Sequence, residues 1–192
     1  MRNKRSPVLA VILLFTVLLL VAVPLLMRRS IMPQPLVDDS RLVEYRSPTL
    51  GFSELRPEAW AVVEDHPQLI PKGQDTLHAV AFVPNPDSQT LAITYVQTLT
   101  TTQTLQEYAA QQRNDLQNDT KVSFTELRPV TINGLDALET DAVITADGEA
   151  RQHRVVMLLN GSRAYALVYI GPIGGTAQQR FQSMVDSFNF VR

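Results

Sequence analysis

The chain has 192 residues, no cysteine, and 17 basic against 19 acidic side chains. Without cysteine it can form no disulfide, no thiolate metal site and no cysteine nucleophile. Arg2, Lys4, Arg5, Arg28 and Arg29 flank one apolar stretch, which leaves 12 basic against 19 acidic side chains beyond it, a balance of about −7 that excludes a general affinity for nucleic-acid phosphates.

That stretch, Pro7 to Met27, reads PVLAVILLFTVLLLVAVPLLM, 21 residues without a charge. As a helix it would be roughly 31 Å long, against a hydrocarbon core of about 30 Å. Ser6 can cap such a helix, and Pro7 suits its first position, where a missing N–H costs nothing. A cleaved signal peptide would have an apolar region of about 7 to 15 residues and a small-x-small cleavage site. The residues that follow here, Arg-Arg-Ser-Ile-Met-Pro, offer no such site. Residues 7–27 are therefore predicted to be one N-terminal transmembrane helix, an uncleaved signal anchor after a basic cytoplasmic segment, residues 1–6. Three basic residues before the span and two after it favour an inner N-terminus, which puts the remainder on the extracytoplasmic side of the cell membrane. Residues 28–40, with Pro33, Pro35, Asp38 and Asp39, read as a short stiff juxtamembrane linker. Residues 41–192 suffice for one soluble domain burying roughly 70% of its unfolded surface.

Within the domain, Leu42 to Arg46 and Gly51 to Leu55 read as a hairpin around Ser47-Pro48-Thr49, with Phe52 and Leu55 as the apolar positions of the second strand. Arg56-Pro57-Glu58-Ala59 suits a type I turn with proline at its second position. Trp60, the sole tryptophan, closes that turn as an apolar plate on the core, its indole N–H bonded to a carbonyl. Ala61 to Thr76 reads as irregular, broken by Pro67, Pro71 and Gly73. Leu77 to Val83 and Leu91 to Leu99 are strand-like runs separated by a turn over residues 84–88. Thr104-x-x-Glu107 is a capping box, and Leu105, Tyr108, Ala109 and Leu116 form one apolar stripe of a helix over Thr104 to Gln117.

Lys121 to Ile132 is extended, and Asn133-Gly134 makes a turn. Leu135 to Thr145, Glu149 to Leu159 and Arg163 to Ile170 then form an antiparallel meander joined by Asp147-Gly148 and Asn160-Gly161, residues that tolerate positive φ. Val155, Met157 and Leu159 point one way, Val156 and Leu158 the other. Ala164, Ala166 and Val168 likewise oppose Tyr165, Leu167 and Tyr169. A sheet apolar on both faces must be covered on both. Thr176 to Ser187 supplies a second helical cover through Phe181, Met184, Val185 and Phe188. The expected fold is α/β in the α+β sense: a three-layer α/β/α sandwich with a central, mainly antiparallel sheet.

A set of residues in order resembles the PsbP-like domain. They are Tyr45, Gly51-Phe52-Ser53, Pro57, Trp60, the Thr-Leu-x-Glu-Tyr start at Thr104 to Tyr108, Ile132-Asn133-Gly134 with Ala137, Asn160-Gly161 with Ala164-Tyr165, and the closing helix from Phe181 to Phe188. The likeness spans Leu42 to Arg192 and implies an antiparallel sheet between helices. It also implies a binding or accessory module rather than an enzyme. The matched residues are marks of fold, so no photosynthetic role and no ligand-binding residue is carried over, and the helical anchor departs from the lipoprotein members of the family.

No cofactor, metal or catalytic residue is assigned from sequence. Glu64, Asp65, His66, Asp75 and His78 are the side chains that would supply ligands to a cation, but a solvated polar loop explains them as well, since no metal-site spacing recurs. Trp60, His66 and His78 are candidates for a binding surface. His153 reads as a cross-strand surface residue, no serine sits in Gly-x-Ser-x-Gly, and Gly171 to Gly175 lacks phosphate-loop spacing and reads as a connection. Three functions follow. The first is a non-catalytic, membrane-anchored extracytoplasmic domain that presents a surface to a protein or envelope partner. The second is a hydrolytic or metal-dependent enzyme using the loop from Glu64 to His78. The third is an inward-facing regulator of a cytosolic partner, by analogy with a Ran-binding relative of the fold.

Overall fold

The computed structural model describes residues 40–67, 69–70, 76–84, 90–119, 122–146, 149–172 and 175–191. The apolar run Pro7–Met27 and most of the linker lie outside them. Among the described residues no helix is long and apolar enough to cross a membrane.

The elements, in chain order, are β1 (Leu42–Ser47), β2 (Phe52–Pro57), β3 (Ala61–Glu64), β4 (Leu77–Val83), β5 (Leu91–Thr98), α1 (Leu105–Asp119), β6 (Val122–Phe124), β7 (Arg128–Ile132), β8 (Leu135–Ala146), β9 (Glu149–Asn160), β10 (Arg163–Gly171), α2 (Thr176–Ser187) and β11 (Asn189–Phe190). The fold is α+β, and every described strand pairing is antiparallel. Eight strands form the main sheet in the order β3-β4-β5-β10-β9-β8-β6, with β7 also paired to β8. A separate sheet, β1-β2-β11, was not foreseen in the sequence. It forms because the chain leaving α2 turns back and pairs Phe190 with Phe52 and Asn189 with Ser53.

The main sheet is apolar on both faces, as its alternation requires. Ala79, Ala81, Ile93, Tyr95, Val155, Met157, Ala164, Ala166 and Val168 join Tyr108 and Ala109 of α1 in one buried cluster. Val80, Phe82, Val156, Leu158, Tyr165, Leu167 and Tyr169 join Phe52, Trp60 and Phe188, together with Phe181, Met184 and Val185 of α2, in the other. The small sheet thus shares the second face with α2. Ser187 ties the two together: the Leu55 N–H donates to Ser187 Oγ at 2.8 Å, and that hydroxyl donates to Met184 O at 3.0 Å.

The capping box forms as its chemistry dictates. The Thr104 N–H donates to Glu107 Oε2 at 2.8 Å, and the Glu107 N–H donates to Thr104 Oγ1 at 3.2 Å. The backbone hydrogen bond to Thr104 is the main reason the Glu107 carboxyl is held below the usual carboxylate range. At Asn133 (φ 49°) and Gly134 (φ 81°) both turn residues are left-handed, which suits the twist of a hairpin between β7 and β8.

Several local expectations shift. The turn after β2 runs from Pro57 to Trp60, closed by the Trp60 N–H on Pro57 O at 3.1 Å, because the strand keeps its pairing through Pro57. Residues 61–64 are a strand rather than irregular, paired from Ala61↔Val83 to Glu64↔Val80. The extended run from Lys121 to Ile132 is interrupted at residues 125–127, where the Thr125 hydroxyl takes the Asp141 N–H at 2.9 Å in place of a strand partner. Asn160 pairs with Arg163 inside the ladder, so the tight turn is Gly161-Ser162, one residue later than expected. Asp147-Gly148 and most of the turn at residues 84–88 lie outside the described residues.

Candidate functional site

Two polar arrangements meet at the side of the main sheet where β3 forms its edge. The outer one contains four of the five residues singled out as cation ligands. Asp65 follows β3 with φ 44°, a left-handed conformation that short polar side chains tolerate. Its carboxylate is fully engaged. Oδ1 accepts the Ala79 N–H at 2.9 Å, and Oδ2 lies 2.9 Å from His78 Nδ1, an arrangement in which the imidazole donates. Glu64 takes the Tyr45 hydroxyl on Oε1 at 2.7 Å. Burial, reinforced by that hydrogen bond, raises the Tyr45 phenol above its ordinary range and keeps it a donor. His66 is partly buried, and its carbonyl accepts the Leu69 N–H at 2.7 Å. Asp75 lies outside the described residues.

The structure therefore brings Asp65 and His78 together and commits Glu64 to Tyr45 instead. Among the described residues no three His, Asp or Glu side chains are grouped to hold a metal ion. What the outer arrangement can do is orient the His78 ring: with Nδ1 bonded to Asp65, Nε2 is the nitrogen available to accept a proton or bind a ligand.

The inner arrangement is one that sequence reading missed. Glu54 of β2 is 1% exposed and lies between the two sheets, where Thr94 Oγ1 of β5 donates to its Oε1 at 2.8 Å. Its Oε2 is buried without a hydrogen-bond partner among the described residues. Burial pushes this carboxyl up to about 8, against the smaller opposing effect of the Thr94 hydrogen bond. The signal was present in FSELRP: alternation from Phe52 puts Glu54 inward, whereas pairing Phe52 with Leu55 mixed the two faces. Leu55 is in fact 36% exposed.

Trp60 meets one expectation and departs from two. At 2% exposure its ring is core, clustered with Phe52 and Phe82 as an apolar plate should be, and so it is not part of an exposed binding surface. Its indole Nε1 is buried without a hydrogen-bond partner among the described residues, where a carbonyl was expected. The Trp60 carbonyl, by contrast, is held by Arg56, whose guanidinium NH1 also caps the carbonyls of Pro57 and Glu58. His153 is likewise buried rather than on the surface, because it shares the face of Val155 and Met157 on β9 and pairs with Ala142 and Ile170.

No protein-family profile matches the chain, and comparison with curated proteins gives no significant match. Among solved structures, the chain is similar to cyanobacterial PsbP (CyanoP) from Synechocystis sp. PCC 6803, with TM-score 0.58 and 12% identity over 83% of this chain and 98% of that one. It is also similar to LpqN, involved in cell envelope biogenesis of Mycobacterium tuberculosis, with TM-score 0.48 and 10% identity over 80% of this chain and 94% of that one. At such identities the likeness to CyanoP is one of fold: the domain has a PsbP-like fold, as the resemblance in sequence implied.

Proposed function

We propose that this chain is a single-pass membrane protein whose PsbP-like domain, a three-layer α/β/α module, is a non-catalytic binding or accessory domain held close to the outer face of the cell membrane. The observation that carries the proposal is the distance along the chain between the apolar run and the fold. The run ends at Met27 and β1 begins at Leu42, where the Glu58 N–H already fastens Arg41 O at 2.9 Å. The residues between, fully extended, reach at most roughly 50 Å. A domain so tethered serves a partner near the bilayer, either a protein or an envelope component. The CyanoP-like fold supports an accessory role by analogy of fold alone. Protease added to intact cells or right-side-out spheroplasts is expected to degrade the domain. Full protection would overturn the topology and favour a regulator of a cytosolic partner.

The Asp65–His78 pair favours a second reading, a metal-dependent or hydrolytic site in the loop from Glu64 to His78. Zinc titration of the wild type and of the His66→Ala/His78→Ala double variant separates the two. Loss of binding in the variant supports the site, and identical binding removes it.

A further inference from the structure

We propose that the Glu54 carboxyl is a proton-dependent latch between the two sheets, holding β2 against β5 while neutral and loosening the three-stranded sheet when ionised. The geometry is specific to this residue. Thr94 Oγ1 donates to Glu54 Oε1 across the gap between the sheets, and both side chains are 1% exposed. Of the remaining neighbours on that face, Ala92 and Val96 flank Thr94 on β5, while Val80 and Phe82 come from β4, whose His78 alternates in step with them and has its Nδ1 on Asp65.

Among the described residues no cation pairs with the Glu54 carboxyl, whose one hydrogen-bond partner is Thr94. Tyr45, opposite it on β1, is neutral and donates its hydroxyl to Glu64, itself an acid on β3. Arg56 on the same strand directs its NH1 to the carbonyls of Pro57, Glu58 and Trp60, its Nε is buried without a hydrogen-bond partner among the described residues, and it is not among the groups acting on the Glu54 carboxyl. Arg163 of β10 lies against the backbone of Gly51 and the Tyr165 hydroxyl. On β9 and β8, Arg154 is paired with Glu139 and Asp141, which also share Arg128, and β9 is separated from β5 by β10. On α2, the Gln182 side-chain N–H donates to Asp186 Oδ1. The negative charge would therefore sit in an apolar gap with one hydroxyl donor, and separating the sheets to admit water relieves it.

The direction with pH follows from the raised pKa. Burial holds the folded carboxyl at about 8, above its ordinary 4.5. The stability this group confers is fully present below about 4.5 and is lost as pH rises through about 8. Between these limits one proton links to folding, and the folding equilibrium falls by up to about tenfold per pH unit.

The chain carries its own reporter, since Trp60 is the sole tryptophan and packs in the same cluster as Phe52 of β2. Full-length protein in detergent micelles is titrated from pH 5 to pH 9.5 while tryptophan emission and far-ultraviolet circular dichroism are followed. The expected result is a red shift with a midpoint near 8 at unchanged circular dichroism in the wild type, and none in Glu54→Gln. Equal shifts in both proteins, no shift in either, or a shift accompanied by collapse of the circular dichroism would overturn the latch. If Glu54→Gln does not fold, the wild-type Glu54 carboxyl carbon, followed by NMR on glutamate-labelled protein, decides. Titration near pH 8 upholds the proposal and titration below pH 6 overturns it.

Discussion

The two faces of the main sheet are filled by different means. The face under α1 sets five alanines, Ala79, Ala81, Ala164 and Ala166 on the strands and Ala109 on the helix, among larger aliphatic side chains, and among its described buried residues the only aromatic rings are Tyr95 and Tyr108. The opposite face is built of rings. Phe52 stacks on Phe188 at 5.7 Å, Tyr165 meets Phe188 edge-on at 5.7 Å and Phe190 at 5.0 Å, and Tyr169 lies 5.6 Å from Phe181. Alanines let a helix lie close to the strands. Rings fill a deeper layer and can join three elements at once, here β2, β10 and the end of α2. Each favourable ring pair adds about 0.5–1.5 kcal/mol beyond its burial. The ring face therefore depends on a few large anchors, and the alanine face on close fit.

Removing an anchor should have the largest effect. Phe188 is fully buried and touches Phe52, Tyr165 and Phe190. Phe188→Ala is expected to cost about 3–5 kcal/mol in urea unfolding, through lost burial and the cavity left behind. A loss below about 1 kcal/mol would mean that the small sheet contributes little to stability.

On the alanine face the damaging change is the opposite one. Ala109 is fully buried, and Ala109→Leu keeps a strong helix former while adding volume beneath α1. Overpacking should cost about 1–3 kcal/mol, again by urea unfolding. Tolerance of this change would show that α1 has room to lift, and the contrast between the faces would fail.

The same contrast separates what could be read in the sequence from what could not. Alternation in β9 and β10 runs unbroken over long strands, so the assignment of Val155 and Met157 to one face and Val156 and Leu158 to the other follows from the period alone. Phe181, Met184 and Val185 fixed the buried side of α2 in the same way. The N-terminal layer gave no such run. β3 is four residues, AVVE, set between a turn and a left-handed aspartate, too short for periodicity to register. β2 hides an acid on its inner face and exposes a leucine on its outer one, so polarity misleads where parity does not. Asp65 and His78 could be grouped from sequence, but their direct contact lay beyond it, because Asp65 reaches His78 and Ala79 only through the pairing of β3 with β4. Burial of His153 was readable by parity, since it alternates in step with Val155.

The smallest expected effects come from the helix starts, and they test whether each helix is held by its own ends or by its face. α1 carries a complete capping box but its described buried positions are few, Tyr108, Ala109 and the polar Gln112. α2 begins at Gly175 with no side-chain cap and buries Phe181, Met184 and Val185. Thr104→Ala removes the hydroxyl that accepts the Glu107 N–H and should cost about 1 kcal/mol by thermal unfolding. Gly175→Ser is the reciprocal change. The backbone there is already extended (φ −83°, ψ 166°) and a Cβ would meet nothing within 4 Å, so serine can cap α2 without strain. Because glycine is itself a tolerable cap, the gain should be only a few tenths of a kcal/mol. A gain as large as the loss at Thr104 would mean that α2, like α1, depends on its first turn, and that the rings beneath it do not hold it alone.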